Sequence, residues 1–505
     1  MSVSASVVLG LLLASPSPAP IAWTDWSDAA FQQARSENRL VLLDLGAVWC
    51  HWCHVMEETT YKDPRVVELV GSRFVAVRVD QDARPDLSNR YEDYGWPATV
   101  IFDASGAELV KFQGYIPPDR MASLLQGISE DPTPGPSVLE AREVEVAEAP
   151  QPRLTDAQRG ELRGLLSYRY DAERGGWGFT HKFLDWDAVE ACMAAAREGD
   201  ARAEAMARET LAKQRRLIDP VWGGVYQYSD SGDWEHPHFE KIMQMQAEDL
   251  RVYSLAYQQW HDPADLKAAR DIHRYLTTFL MGPDGVFYVS QDADLVQGEH
   301  SGEYYARGDA ERRQRGIPRV DTHHYARENA WAVNALVAFH AASGDPEPLR
   351  QALRAAEWIV ASRGLPGGGF RHDDEDAAGP YLGDTLAAGR AFLSLYHATH
   401  DAAWLRRAED AARFVADRFR VAGVAGFVTA AGQGHRPQRD ENVLAARLGA
   451  GLYAATGQPA FRELAEHAMR YLAAPEIARR PQTGGVLLAD REVQSALAAP
   501  VLAGR

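Results

Sequence analysis

Over residues 156–505, a glycine followed within a few residues by an aromatic or large apolar side chain recurs six times. The sites are Gly176 (Gly-Gly-Trp-Gly-Phe), Gly224 (Gly-Gly-Val-Tyr), Gly285 (Gly-Val-Phe-Tyr), Gly369 (Gly-Gly-Gly-Phe), Gly426 (Gly-Phe) and Gly485 (Gly-Gly-Val-Leu). Between sites lie two helical patterns: Ala332, Leu336 and Phe339 fall at i, i+4 and i+7, and Leu444, Leu448 and Leu452 are four apart. Helix starts are expected near 156, 187, 200, 240, 264, 324, 347, 384, 402, 441, 460 and 490. A helical hairpin repeated in this way buries its apolar face only on the next hairpin. Twelve helices in six pairs form either an open solenoid or a closed toroid. The first helix lacks a partner before Gly176 and the last lacks one after Gly485, so the two are expected to pair and close an (α/α)6 barrel.

The N-terminal part reads differently. Leu40–Leu45, Phe74–Val79 and Ala98–Phe102 are short apolar runs of strand length, separated by helical stretches, and Leu109–Phe112 follows the Ser105-Gly106 turn. Strands alternating with helices indicate an α/β sandwich. Residues 129–155 combine Pro, Gly and Ser with a Glu-rich tract and no apolar periodicity, as a linker does. Residues 1–22 hold the apolar run Val7–Ala14 and then Ser15-Pro-Ser-Pro-Ala-Pro20, which reads as an export leader giving a periplasmic or secreted protein. The alternatives are a disordered extension and a cytoplasmic protein. The run is far short of the roughly 20 residues needed to cross a bilayer, so an integral membrane protein is not expected. Lys and Arg number 53 against 71 for Asp and Glu, a net charge of −18, which argues against nucleic acid as a partner. The expected domains are therefore 23–128, 129–155 as linker, and 156–505.

Trp49-Cys50-His51-Trp52-Cys53-His54 carries the chemistry. Two cysteines separated by two residues, after an apolar strand and at the start of a helix, are placed for thiol–disulfide exchange. The helix N-terminus favours a Cys50 thiolate, so Cys50 is expected to be the exposed nucleophile and Cys53 the buried resolver. Three other readings remain: a c-type haem attachment string, a zinc site, and two inert buried cysteines. The haem string belongs in largely helical domains, and a zinc site needs a second ligand pair that is missing nearby. No metal or other cofactor is expected.

The string Trp49 to Met56, together with Val79-Asp-Gln81, Arg84-Pro-Asp86 and Gly95-Trp-Pro-Ala98, resembles thioredoxin and, more closely, the thioredoxin-like domain of the spermatogenesis-associated (Thioredox_DsbH-type) family. The resemblance implies that Asp44 is the buried carboxylate serving the second cysteine. It also implies that Pro97, after Trp96, is the cis-proline facing the disulfide. His51 and Trp52 replace thioredoxin's Gly-Pro. A histidine there is expected to raise the potential above thioredoxin's roughly −270 mV, though below the strongest oxidants near about −120 mV. The family's second half resembles sugar epimerases and glycoside hydrolases. It implies a barrel cleft at His238, Glu240, Asp292, Asp294 and Asp384, with weaker counterparts at Asn329 and Asn442. Paired carboxylates with a histidine suit acid–base work on a sugar. Against that, Glu240 and Lys241 also read as a solvated pair.

The expected protein is thus multi-domain, an α/β thioredoxin-like unit followed by an all-α (α/α)6 toroid. It is read as a thiol–disulfide oxidoreductase whose barrel recruits a substrate or ligand. Its partner is a redox protein or thiol substrate, with a carbohydrate or small molecule in the barrel. The alternative is a carbohydrate-active barrel enzyme with a regulatory thioredoxin-like domain.

Overall fold

The computed structural model describes residues 19–139, 146–431 and 436–498. Most of the expected leader therefore lies outside the described residues. By internal contacts the chain divides into two units. One comprises Met1–Leu45, Trp52–Val79 and Trp96–Ala141; the other comprises Gly46–His51, Asp80–Gly95 and Arg142–Arg505.

The first unit is built on five strands, β1 (Trp23–Thr24), β2 (Leu40–Gly46), β3 (Phe74–Asp80), β4 (Ala98–Phe102) and β5 (Glu108–Gln113), in the order β1-β3-β2-β4-β5. β1 runs parallel to β3, whereas β2–β4 and β4–β5 are antiparallel, with Val41 opposite Phe102 and Leu45 opposite Ala98. β4 is buried throughout, and so is β2 from Val41 to Leu45, because helices cover the sheet. The helices are α1 (Asp28–Glu37), α2 (His51–Glu58), α3 (Pro64–Arg73) and, after the short α4 (Pro85–Arg90) of the other unit, α5 (Pro118–Glu130). Ser27 caps α1 by accepting from the Ala30 amide, and Asp63 caps α3 with Pro64 in its first turn. Their apolar faces meet the sheet at Leu42, Met56, Val66, Val70, Phe74, Ile101, Met121 and Leu125.

The second unit is a ring of helices. Six inner helices, α7 (Trp186–Ala196), α9 (Met243–Trp260), α11 (Ala326–Ser343), α13 (Leu382–Thr399), α15 (Arg439–Thr456) and α17 (Gly484–Ala498), pack each on the next, and α17 packs back on α7. Six outer helices complete it: α6 (Asp156–Tyr168), α8 (Ala201–Gln214), α10 (Pro263–Phe279), α12 (Pro346–Trp358), α14 (Ala402–Arg418) and α16 (Pro459–Leu472). The ring is closed, as the unpaired first and last helices imply.

The repeat has a physical cause at each turn. Inner helices α9, α11, α13 and α15 end on a left-handed residue: His261, Gly344, His400 and Gly457. Asp262, Asp345 or Asp401 then caps the outer helix that follows the first three. Each of five outer segments returns through a tight hairpin, bridged at Tyr170–Trp177, Ile218–Val225, Met281–Phe287, Gly364–Phe370 and Arg420–Phe427. In the last four of these, the fourth residue of the next inner helix holds the hairpin. Asn329 accepts from the Phe287 amide (2.8 Å) and donates to its carbonyl (3.0 Å). Asn442 does the same at Phe427 (2.8 and 3.0 Å), Gln246 does so at Val225 (2.7 and 2.7 Å), and the Thr385 hydroxyl accepts from the Phe370 amide (3.1 Å). Asn329 and Asn442 are therefore structural clamps rather than cleft residues.

Gly485, the sixth expected site, lies inside α17, and that helix begins at Gly484 rather than near 490. The glycine pair serves close approach instead of a turn. A Cβ at Gly484 would stand 2.5 Å from the Ala188 nitrogen, and one at Gly485 2.6 Å from Asp187 Oδ2, so the seam with α7 closes only without side chains there.

Among the described residues, no helix is long and apolar enough to cross a membrane.

Candidate functional site

β2 delivers the chain into a turn in which the Cys50 amide donates to the Ala47 carbonyl (3.2 Å), and α2 starts at His51. Cys50 and Cys53 are joined as a disulfide. The expected order of exposure is reversed: Cys50 is 4% exposed, whereas Cys53 is half-buried beside Trp52, which is 41% exposed. Cys50 sits between Trp49 and His51, both buried, while Cys53 lies a turn further along α2. Among the described residues Cys192 is the free cysteine, its thiol pushed up to about 12 by burial.

In the first unit Asp44 is buried on β2 and bonded by Arg78 Nε at 3.0 Å; Arg78 also reaches Glu57 (2.9 Å) and lies over the Trp23 ring. Burial raises the Asp44 carboxyl above its ordinary range despite Arg78. The Trp96–Pro97 peptide is cis.

The second unit gathers carboxylates around His51. Its ring Nδ1 meets Asp294 Oδ1 at 2.7 Å, and its backbone amide donates to Glu240 Oε1 at 3.3 Å. A small three-stranded sheet, β8 (Lys241–Ile242), β9 (Ser290–Gln291) and β10 (Val320–Asp321), sets the acids in place, with Glu240 just before β8 and Asp292 just after β9. Asp292 Oδ1 accepts from the Asp294 amide (2.9 Å), and Asp294 Oδ2 accepts from the Gly298 amide (2.9 Å). The Ala293 amide donates to the Trp49 carbonyl (3.4 Å). Glu240 is 3% exposed, its Oε2 has no hydrogen-bond partner among the described residues, and burial raises its pKa to about 7. It is not half of a solvated pair. Lys241 points away from it, donating to Asp219 Oδ2 and the Gly223 carbonyl, both at 2.8 Å, with its pKa lowered by burial to about 8. His238, on β7 (Pro237–His238), stacks on Tyr228 of β6 (Tyr228–Ser229) at 4.2 Å, and burial lowers it to about 4, so its ring is neutral at pH 7.

Asp384 is engaged elsewhere. His372 Nδ1 lies 2.9 Å from Asp384 Oδ1, and His372 Nε2 donates to the Asp82 carbonyl at 2.7 Å. A nitrogen against a carbonyl must carry its hydrogen, so Nε2 is a donor and Nδ1 is the atom that faces the carboxyl group. Burial opposes a charge on the ring, the Asp384 carboxylate outweighs it, and the His372 pKa is raised. The Asp82 side chain in turn accepts from Trp49 Nε1 at 2.8 Å. Two acidic knots thus arise, one around His51 and one around His372, with the Trp49–Asp82 bond between their elements. The motif around Cys50 marked the first; nothing local in the chain marks Asp82 or His372.

The fold is an α/β thioredoxin-like unit together with an (α/α)6 toroid of the kind found in sugar epimerases. Residues 11–130 match the family profile Thioredox_DsbH, described as a protein of unknown function, DUF255. Spermatogenesis-associated protein 20 of Rattus norvegicus is 29% identical over 313 residues, 54% of this chain and 39% of that protein. The thiol:disulfide interchange protein DsbD of Ralstonia nicotianae is 38% identical over 82 residues, 16% of this chain and 14% of that protein. The chain thus spans less than half the length of these curated relatives. Among solved structures, a sugar epimerase from a ruminal bacterium superposes with a TM-score of 0.52 at 12% identity, covering 66% of this chain and 98% of that one. At that identity the likeness is one of fold.

Proposed function

We propose that the protein is a thiol–disulfide oxidoreductase working through Cys50 and Cys53, with the barrel recruiting its substrate. The observation that carries this is the Cys50–Cys53 disulfide at the junction of β2 and α2. In the oxidising direction a partner thiolate attacks one sulfur of the disulfide and the other leaves as a thiolate. A second partner thiolate then attacks the mixed disulfide. The partner gains a disulfide and loses two electrons, and Cys50 and Cys53 are left as thiols. Similarity to an interchange protein over 82 residues supports the reading. Incubating the oxidised protein with reduced dithiothreitol, and the reduced protein with oxidised glutathione, tests it. Exchange is expected to vanish in Cys50→Ser and in Cys53→Ser; turnover that survives both substitutions refutes the assignment.

A further inference from the structure

Beyond that chemistry, we infer that the lumen of the barrel holds a binding site for a small anion with carboxylate or phosphoryl oxygens, and that Arg390 is its principal ligand. The ninth residue of an inner helix is arginine three times over: Arg251 on α9, Arg390 on α13 and Arg447 on α15. The ninth residue of α17 is Glu492 and that of α11 is Asn334. Equal register on helices of one ring sets these side chains at one depth. They face inward. Arg447, on α15, reaches past α17 to Glu190 on α7 at 2.5 Å. Arg390, on α13, interacts with Arg251 and Glu248 on α9 and with Glu492 on α17, neither helix being its neighbour in the ring.

The carboxylates of this belt are already taken. Glu190 binds Arg447 and, at 2.8 Å, Arg251; Glu248 binds Arg251 at 2.7 Å; Glu492 binds Arg447 at 2.8 Å. Among the described residues Arg390 has neither a hydrogen bond nor an ion pair, yet it remains half-buried and so keeps a face on the lumen. Burial, then the two flanking arginines, bring its pKa down to about 10. A guanidinium set inside a protein without a carboxylate destabilises the fold unless an anion from outside completes it. Its planar fork suits two oxygens of one carboxylate or phosphoryl group. One turn before Asn334 on α11, Trp331 lies half-buried with the Arg327 guanidinium over its ring at 4.8 Å.

The test is thermal unfolding of the full chain in sodium phosphate, in sodium acetate and in sodium chloride at matched ionic strength. Phosphate or acetate is expected to raise Tm beyond chloride, and the one with the larger shift identifies the oxygen chemistry. Arg390→Met is expected to lose that shift and, without added anion, to melt no lower than the parent. Arg390→Lys keeps the charge but not the fork, and is expected to weaken the better anion at least about tenfold by calorimetry. A shift equal in chloride, a shift retained in Arg390→Met, or unchanged affinity in Arg390→Lys overturns the assignment. The Cys50→Ser protein is expected to bind the anion as the parent does, so this site stands or falls separately from the redox reading.

Discussion

Replacing Glu240 with glutamine tests the charge state of the acids around His51. Glu240 has a pKa of about 7 in place of an ordinary 4.5, because it is buried. A carboxyl whose folded pKa is raised keeps its proton in the native state while the unfolded chain gives it up. Its contribution to stability is therefore whole below pH 4.5 and is lost as pH rises through 7. The difference amounts to about 3 kcal/mol by proton linkage. Glutamine is neutral at every pH and retains an oxygen for the His51 amide, so it lacks this loss. Any fixed cost of burying its amide is the same at all pH values and cancels in the comparison. Urea unfolding of both proteins, followed by tryptophan fluorescence at pH 5.0 and pH 8.5, reads it directly. The variant is expected to gain about 2 kcal/mol or more on the parent between the two pH values. Asp187 and Glu441, raised by burial to about 7 and about 8, titrate in both proteins and drop out of the difference. A gap that changes by less than about 1 kcal/mol would show that Glu240 is ionised throughout, refuting the burial argument.

Three further outcomes follow from the geometry. Asn442→Ala removes both partners of the Phe427 backbone and is expected to cost about 3 kcal/mol in chemical denaturation, a loss under 1 kcal/mol speaking against the clamp. Gly485→Ala drives a methyl toward Asp187 across the α17–α7 seam and is expected to lower stability by about 1–3 kcal/mol, which differential calorimetry will detect as a lower Tm. Asp294→Asn takes a negative charge from the residue beside Cys50, which favours the thiolate. The glutathione equilibrium is expected to show a potential higher by some 30 mV, about 1.4 kcal/mol, and a lower potential would count against the electrostatic account.

The helices were legible because their causes are local. Eleven of the twelve barrel starts fall within three residues of their places in the structure, since apolar spacing and capping aspartates announce them. The twelfth failed for a reason sequence does not display: Gly484 and Gly485 look like a turn, and only the presence of α7 across the seam makes them helical. The cysteine pair was legible as a motif, but its burial was not, because the exposure of Cys50 depends on what surrounds Trp49 and His51 in space. Asp82 and His372 are joined across 290 positions, which no window of residues can reveal. The arginine belt lay between these extremes. Each arginine is unremarkable alone, and the three align only once every helix is counted from its first residue.

The α17–α7 seam also governs how the barrel can be made. A stack of hairpins with free ends tolerates the loss of a terminal repeat, because every remaining interface survives. A ring has no expendable member. Its last interface joins helices roughly three hundred residues apart, whose meeting carries the largest loop-closure entropy of the assembly. During synthesis the first inner helix must therefore wait, with the side meant for α17 uncovered, until the twelfth helix has left the ribosome. The barrel is thus a late, cooperative folder whose exposed interval scales with translation time.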